Sequence, residues 1–312
     1  MTQSAPRSID QYLAQLRAAL AGEDAALIQD ALYDAEEYLR AEVAAHPDKA
    51  EPDVLELIAS TYGDPEEVAA AYRDTEARVK AALKTPARPA SAEKGAWRQF
   101  FDVYLDPRTY TSVFFLLLSL ATGVIYFTFV VTGMSLSVGL AVLIIGVPFF
   151  LAFIGLSRVL SLAEGRLIEA TTGERMPRRP VHPGPPAGFW SRVGQMLADL
   201  RTWTTLAYFA LMLPLGIVYF TLSVSALAIS LSLIFAPAAE LGVRLGWLSS
   251  ALWGNGDFQL NGMDFSPAWI GTTWLLPLWV LAGVLLLTTF LHLARGLAKL
   301  HAHFAKVMLV AR

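Results

Sequence analysis

The chain has no cysteine, and it is short of charged residues. Of its 312 residues, 16% are Asp, Glu, Lys or Arg, whereas soluble domains average about 25%. The missing thiols exclude disulfides, thiolate zinc sites and cysteine nucleophiles. Hydrophobic residues make up 55% of the chain, and the mean hydropathy is +0.47. A single soluble globular domain is therefore not the expected fold.

The remaining charge is unevenly divided between two parts of the chain. Residues 1–84 carry 17 acidic and 8 basic side chains, a net charge of −9, whereas residues 85–312 carry a net charge of +6. Because the acidic part would repel phosphate, we expect no nucleic-acid partner. The N-terminus is polar and then amphipathic, without a signal peptide, which predicts that the chain begins in the cytosol.

Three long segments contain no Asp, Glu, Lys or Arg. They cover residues 109–157, 202–239 and 265–294, which are 49, 38 and 30 residues long. Since a helix of about 20 apolar residues crosses the hydrocarbon core of a bilayer, we predict an all-α integral membrane protein. The first segment is long enough for two passes with a turn near Thr132–Ser135, and the third is long enough for one.

Loop charges indicate the orientation, because Lys and Arg collect on the cytoplasmic side. Segments 158–201 and 295–312 are basic, and segment 240–264 is acidic. An even number of passes therefore separates Arg201 from Arg295. We predict four spans in a bacterial inner membrane with both termini cytosolic; five spans, which would place the basic tail outside, stay open. The predicted spans are about 110–131, 136–158, 203–224 and 269–291, with a non-spanning or re-entrant piece at 226–245 and an outer loop at about 240–268.

The membrane part contains an internal repeat. A shift of 93 residues aligns 97–131 with 190–224 without a gap, and 12 of the 35 positions are identical. Because both copies are predicted to start on the cytosolic side, the repeats should be parallel, related by an axis along the membrane normal. The shared residues include Trp97/Trp190, Asp106/Asp199, Arg108/Arg201, Thr109/Thr202, Gly123/Gly216 and the Tyr-Phe-Thr motifs that begin at Tyr126 and Tyr219.

The shared residues have two interpretations. In the first, they are membrane anchors and packing contacts, because Trp and Arg favour the headgroup level and Gly allows close helix approach. In the second, they line an internal groove for an amphiphile near the outer leaflet, closed by the aromatic outer loop. The candidate anchors are Trp97, Arg108, Trp190 and Arg201. The candidate ligand or membrane groove comprises Tyr126, Thr128, Tyr219, Thr221, Trp247, Trp253 and Trp269.

Residues 1–84 are predicted to form a small cytosolic domain of four helices. The helices cover 9–21 and 24–46, a third begins at Pro52, and a fourth begins at Asp64. A flexible linker at 85–96 joins this domain to the membrane domain at 97–312. Four short amphipathic helices make only a modest core, so docking on a partner, on the membrane or on a second copy of the chain is expected.

Charged residues on this domain and on the basic inner loop are the candidate partner surface. The acidic row on the second helix is either a solvated face or a binding surface, and its charge is opposite to that of the loop arginines, which could instead contact anionic lipid. The candidate residues are Asp30, Asp34, Glu37, Asp64, Glu66, Glu67, Arg175, Arg178 and Arg179.

The motifs of common catalytic sites are missing. The chain has no P-loop, no Gly-x-Ser-x-Gly, no His-Glu-x-x-His and no kinase motif. We therefore predict no catalytic residue, no cofactor and no metal site, and the protein is not expected to be an enzyme.

Particular stretches of the sequence resemble two known families. The N-terminal domain resembles the HAAS domain, related to the former DUF1700 group, through YLAQLRAAL, DAEEYLRAEV and TYGDPEEVAAAY, of which residues 62–67 are the most specific part. Residues 97–312 are similar to the sensor membrane domain that precedes actinobacterial-type histidine kinases, through LPLGIVYF, IIGVPFF, the Arg-Thr helix start and the basic inner loop. The resemblance implies signalling, with a PadR-like regulator, a kinase or an ABC transporter as partner.

These observations together predict a sensor or adaptor without enzymatic activity. It would couple membrane or envelope state, including an amphiphilic ligand, to a separate signalling protein, since the sequence ends at Arg312 without a kinase. The alternative is a transporter-associated subunit or a small-molecule carrier built on parallel repeats. A membrane enzyme is a weaker rival, because the polar residues that it would need are missing.

Overall fold

The computed structural model describes residues 5–83, 100–140, 146–180, 189–247, 258–260, 263–265 and 276–310. The chain forms two compact units. The first comprises Met1–Glu93, Phe129–Ala210 and Ala302–Arg312, and the second comprises Lys94–Thr128 and Leu211–His301.

Four short helices, within residues 8–83, form a domain that we call the head. They are α1 (Ile9–Ala19), α2 (Ala25–Ala45), α3 (Glu51–Thr61) and α4 (Pro65–Leu83). The Ser8 side chain caps α1 by accepting the backbone N–H of Gln11 at 3.2 Å. Apolar residues one helical turn apart point inward and form a single small core. Its buried members are Ile9, Tyr12, Leu16, Leu20, Ala31, Ala35, Leu39, Val54, Leu55, Ile58, Val68 and Ala69.

The connection between α3 and α4 uses residues of the motif at 62–67. Gly63 has a φ of +103°, a left-handed conformation that favours glycine. Its carbonyl accepts a hydrogen bond from the buried Tyr12 hydroxyl at 2.8 Å, which ties the connection to α1. Pro65 begins α4, and Glu67 accepts the backbone N–H of Asp64 at 3.4 Å, as in a capping box. The motif therefore has a local structural role.

Four further helices are long and apolar enough to cross a membrane. They are α5 (Pro107–Leu140), α6 (Gly146–Thr172), α8 (Leu200–Arg244) and α9 (Leu276–Leu309); a 3₁₀ turn at Asp102–Leu105 precedes α5, and α7 (Phe189–Ala198) precedes α8. The predicted fold class, an all-α membrane protein with a small helical head and four spans, is confirmed.

The helices differ in length from the predicted spans. α5 continues through Thr132–Ser135, where the sequence predicts a turn. Gly133 does not end the helix there and instead packs against α6. A Cβ atom on Gly133 would lie 2.2 Å from the Phe153 ring of α6. α8 continues through 226–245, where the sequence predicts a non-spanning or re-entrant piece. Its 45 residues extend about 67 Å at 1.5 Å per residue, more than twice the roughly 30 Å of a hydrocarbon core.

A short antiparallel hairpin is the one strand element in the described part of the chain. Strand β1 (Phe258–Leu260) pairs with β2 (Met263–Phe265), with Phe258 opposite Phe265. In the sequence, Asn261-Gly262 stands between the two strands, as is typical of a two-residue hairpin turn. The hairpin lies within the predicted outer loop.

The two repeats meet through a reciprocal glycine contact within the second unit. A Cβ atom on Gly123 of α5 would lie 2.5 Å from the Met212 carbonyl oxygen of α8. A Cβ atom on Gly216 of α8 would lie 2.3 Å from the Ser119 carbonyl oxygen of α5. Since Gly216 and Met212 are the repeat counterparts of Gly123 and Ser119, each copy makes the same contact with the other. This reciprocity is what a twofold-related pair of repeats requires, with glycine allowing the two backbones to approach.

Substitution of Gly123 tests this contact. Gly123→Ala should lower the free energy of unfolding of the detergent-solubilised protein by about 1–3 kcal/mol, because there is no room for the new methyl group. Its melting temperature should fall accordingly. The matched control is Gly139→Ala on the same helix, where no atom of the described residues lies within 4 Å of the new Cβ atom and helix propensity favours alanine. Melting temperatures measured by scanning fluorimetry compare the two variants. Equal behaviour of the two variants would contradict the close contact.

Candidate functional site

The most extensive polar contact in the described part of the chain joins the head to a short loop after α6. This arginine loop, residues 173–180, carries Arg175, Arg178 and Arg179. Gly173, with a φ of +77°, turns the chain out of α6. Met176 is buried and packs on Gly165 of α6: a Cβ atom added to Gly165 would lie 3.3 Å from the Met176 Cβ. The loop is therefore held against its own helix.

Asp30 of α2 is the centre of the contact, and it is 6% exposed. Its Oδ1 accepts the backbone N–H groups of Arg178 and Arg179, each at 2.9 Å. Its Oδ2 accepts a hydrogen bond from Nη2 of Arg175 at 3.1 Å. Burial raises the pKa of Asp30, and the loop N–H groups and Arg175 act in the opposite direction. Because burial penalises the charged carboxylate, its ionised form depends on these three donors.

Arg179 extends the contact along α2 on the exposed side of Asp30. Its Nε lies 2.9 Å from Oδ1 of Asp34, and its guanidinium lies 5.7 Å from the centroid of the Tyr33 ring, within cation–π range. The Arg179 carbonyl oxygen accepts a hydrogen bond from Nε2 of Gln29 at 2.6 Å. Backbone and side chain of one loop residue thus bind one face of α2.

A second acid from the head completes the binding of Arg175. This arginine forms an ion pair with Glu76 of α4 as well as with Asp30. Glu76 is 8% exposed, and the Arg175 side chain is 16% exposed. One guanidinium therefore pairs with two buried carboxylates, which would be costly to bury without a partner.

The start of α2 also contacts the ends of two membrane-spanning helices. Arg201, in the first turn of α8, donates from Nη1 to Oε1 of Gln29 at 3.3 Å. Lys306, near the end of α9, pairs with Asp24, which caps α2 by accepting the Ala26 N–H at 2.9 Å. The head is thus bound by the loop after α6, by α8 and by α9.

The structure divides the predicted partner surface into two groups. Asp30 and Asp34 are brought together with Arg175, Arg178 and Arg179, whereas Glu37, Asp64, Glu66 and Glu67 lie exposed on the head. The solvated-face interpretation is therefore wrong for Asp30, because the loop covers it. Sequence reasoning missed Gln29 and Glu76. The opposite charges of loop and helix were a signal for the contact, but no local pattern marks Glu76, which comes from another helix.

Five of the predicted groove residues lie in the described part of the chain, and these five do not share one surface. Tyr126 and Tyr219 are buried, at 7% exposure each, and the Tyr219 ring lies 5.6 Å from the His301 ring. Thr128 and Thr221 are exposed on other faces of the same helices. Trp247 is 80% exposed. Trp253 and Trp269 lie outside the described residues.

The repeat starts that contain the predicted anchors are locally alike. Asp106 accepts the Arg108 N–H at 2.9 Å, and Asp199 accepts the Arg201 N–H at 3.0 Å. Arg108 is exposed, whereas Arg201 is half-buried. Trp97 lies outside the described residues, and Trp190 lies in α7. The same carboxylate cap thus starts both repeated helices.

Comparisons with known proteins find two families along the chain. A membrane family described as "Putative sensor" matches residues 115–309, which is more than half of the chain. The HAAS family matches residues 11–71. The order of the two domains is the order predicted from the sequence. No curated protein and no solved structure is significantly similar to the chain.

Substitution of Asp30 tests the docking of the head. Asp30→Asn should weaken docking by about 2 kcal/mol, because the acceptor of three hydrogen bonds loses its charge. Hydrogen exchange measured by mass spectrometry on the full chain should then show faster exchange of the Arg178 and Arg179 amides. The control is Glu37→Gln, which makes the same change of charge at an exposed position of α2. Unchanged protection of both amides in Asp30→Asn would contradict docking through this carboxylate.

Proposed function

Since the chain belongs to the sensor family of membrane domains, we propose that it is a non-enzymatic sensor or adaptor that signals to a separate protein through its head. HAAS and sensor domains are non-catalytic signalling families, and the four apolar helices fit a multi-pass membrane protein. The proposal places the chain in a bacterial inner membrane with both termini in the cytosol. Its stimulus is the state of the membrane or envelope, including an amphiphilic ligand.

The observation that carries the proposal is the set of elements that bind the head. Asp30, Gln29 and Asp24 of the head contact the loop after α6, the start of α8 and the end of α9, respectively. A relative displacement of these helix ends would lengthen hydrogen bonds that are now near 2.9 Å. The head would then be released, and docking would report the packing of the spanning helices.

The partner surface in this proposal is the group of acids that docking leaves exposed. Glu37 lies on α2, and Asp64, Glu66 and Glu67 lie at the start of α4. These acids suit a basic surface on a PadR-like regulator, a kinase or an ABC transporter, or on a second copy of the chain. Release of the head would add Asp30, Asp34 and Glu76 to this acidic surface.

Crosslinking and capture from native membranes test the proposal. The full chain, Asp30→Asn and a chain without residues 1–84 are compared. Asp30→Asn should raise the amount of captured partner several-fold, because the released head is more accessible, and removal of residues 1–84 should abolish capture. Asp53→Asn, an exposed acid at the start of α3, is the control and should leave capture unchanged.

A charge reversal separates the partner surface from the docking contact. Glu37→Lys combined with Glu66→Lys should reduce capture without changing exchange of the Arg178 and Arg179 amides. Capture that is the same for every variant and for the truncated chain would defeat the adaptor proposal. Solute flux in liposomes that persists without residues 1–84 would favour the carrier alternative instead.

A further inference from the structure

A small pocket with both charged and apolar lining residues lies beside the docked head, at the start of α8. It is formed by the middle of α6, the end of the arginine loop and the first turns of α8. Its lining residues are Ser157, Arg158, Ser161, Leu162, Pro180, Asp199, Arg201, Thr202 and Thr205.

The charged groups leave the pocket with one net positive charge. Among the described lining residues, Arg158 and Arg201 are cationic and Asp199 is the one acid. The Asp199 carboxylate already has two roles: Oδ1 accepts the Arg201 N–H at 3.0 Å, and Oδ2 lies 3.5 Å from Nη2 of Arg158. Both guanidinium groups keep further N–H donors, since each carries five. The pocket therefore suits an anion with a single charge.

One hydroxyl in the pocket is buried and has no hydrogen-bond partner among the described residues. Thr202 is 5% exposed, and its Oγ1 makes no hydrogen bond within the described part of the chain. Ser157 and Ser161 differ, because their hydroxyls donate to the carbonyls of Ile154 and Arg158 at 2.7 and 2.8 Å. A buried hydroxyl without a partner is unfavourable and requires an explanation. Thr202 thus offers a free donor next to two arginines.

The other copy of the repeat has no unpaired threonine hydroxyl at its described helix start. Its counterpart of Thr202 is Thr109, whose hydroxyl donates to the Val103 carbonyl at 2.7 Å. Its counterpart of Arg201 is Arg108, which is exposed. The two helix starts share the Asp-x-Arg-Thr sequence, so sequence and helix N-terminus alone do not create the pocket. Asp106 also pairs with a second arginine, Arg295 of α9, so the unpaired hydroxyl and the half-buried first arginine are what distinguish the second copy.

We propose that this pocket binds a singly charged phosphate group, held by Arg158, Arg201 and the Thr202 hydroxyl. Guanidinium groups bind phosphate oxygens through charge-assisted hydrogen bonds, and the start of α8 adds the positive end of a helix dipole. The phosphodiester of an anionic lipid headgroup and a soluble phosphate both provide this chemistry. The site goes beyond the proposed signalling role and does not depend on release of the head.

Native mass spectrometry of the full chain in detergent tests the site. Dioleoyl phosphatidylglycerol, dioleoyl phosphatidylcholine and inorganic phosphate are titrated in separate arms. One phosphatidylglycerol should bind more tightly than phosphatidylcholine, whose choline is repelled by the net positive charge. Binding of inorganic phosphate without a phosphatidylglycerol adduct would support the phosphate site and assign it to a soluble ligand.

Two variants and two matched controls identify the binding residues. Thr202→Val and Arg158→Gln should each weaken phosphatidylglycerol binding about tenfold, the size expected for one hydrogen bond to a charged group. Thr109→Val changes the counterpart of Thr202, and Arg295→Gln removes the arginine that pairs with Asp106 as Arg158 pairs with Asp199. Both controls should bind as the unaltered chain does. Thr202→Val should not lower the melting temperature, because it removes an unpaired hydroxyl, whereas Thr109→Val should.

Three results would overturn the site. They are equal affinity of all four variants for phosphatidylglycerol, equal affinity of the unaltered chain for phosphatidylglycerol and phosphatidylcholine, and no binding in any arm. Because these measurements do not involve the partner protein, failure of the phosphate site would leave the capture experiment on the head unaffected.

Discussion

The position of the head depends on the buried carboxylate of Asp30. A carboxylate in such a place keeps its charge only if donors surround it. Two of its three donors are backbone N–H groups of adjacent loop residues, so the loop backbone must adopt one conformation. Gly173 at the end of α6 and buried Met176 hold that conformation. The head, the loop and α6 therefore behave as one interacting set, and a change in any of them alters the surroundings of the carboxylate.

The repeat shows which features both copies keep and which belong to one copy. Both keep the aspartate cap and the close glycine contact, because a helix start needs its N–H groups satisfied and a close crossing needs room for backbone atoms. The copies differ in what their arginines contact. Arg201 contacts Gln29 of the head, whereas Arg108 is exposed. The functional candidates thus lie where the second copy has diverged from the first.

The sequence predicts the elements whose causes are local. The head helices begin and end within about two residues of the predicted bounds, because caps such as Ser8 and turn residues such as Gly63 act on their neighbours. The number of spans follows from composition. Their lengths do not, since hydropathy does not mark a helix end inside an apolar segment. Gly133 is an example: the sequence around it predicts a turn, but in the structure it lies within α5 and packs on Phe153 of the next helix, a contact that local sequence does not reveal.

The candidate site was harder to predict, because its residues come from distant parts of the chain. Helical periodicity places Asp30 on the polar face of α2, and only a loop about 148 residues later covers it. Helix geometry separates the Tyr and Thr of each predicted groove pair: residues two apart, such as Tyr126 and Thr128, lie about 200° from each other around the helix axis. One is therefore buried while the other is exposed.

The strength of docking decides whether the head can act as a switch. Partly exposed pairs such as Arg179 with Asp34, whose side chains are 51% and 33% exposed, contribute about 0–1 kcal/mol each. Buried Asp30 contributes specificity, because it is satisfied in the docked state by donors at fixed positions. Moving a two-state equilibrium from 1:99 to 99:1 requires about 5.5 kcal/mol. Half of that energy, about 2.7 kcal/mol, brings the equilibrium from 99:1 to equal populations. Loss of the Asp30 donors, at about 2 kcal/mol, together with one or two ion pairs is therefore enough to release about half of the heads. Because those bonds come from the ends of three spanning helices, a small change in helix packing can supply that energy without a ligand that contacts the head.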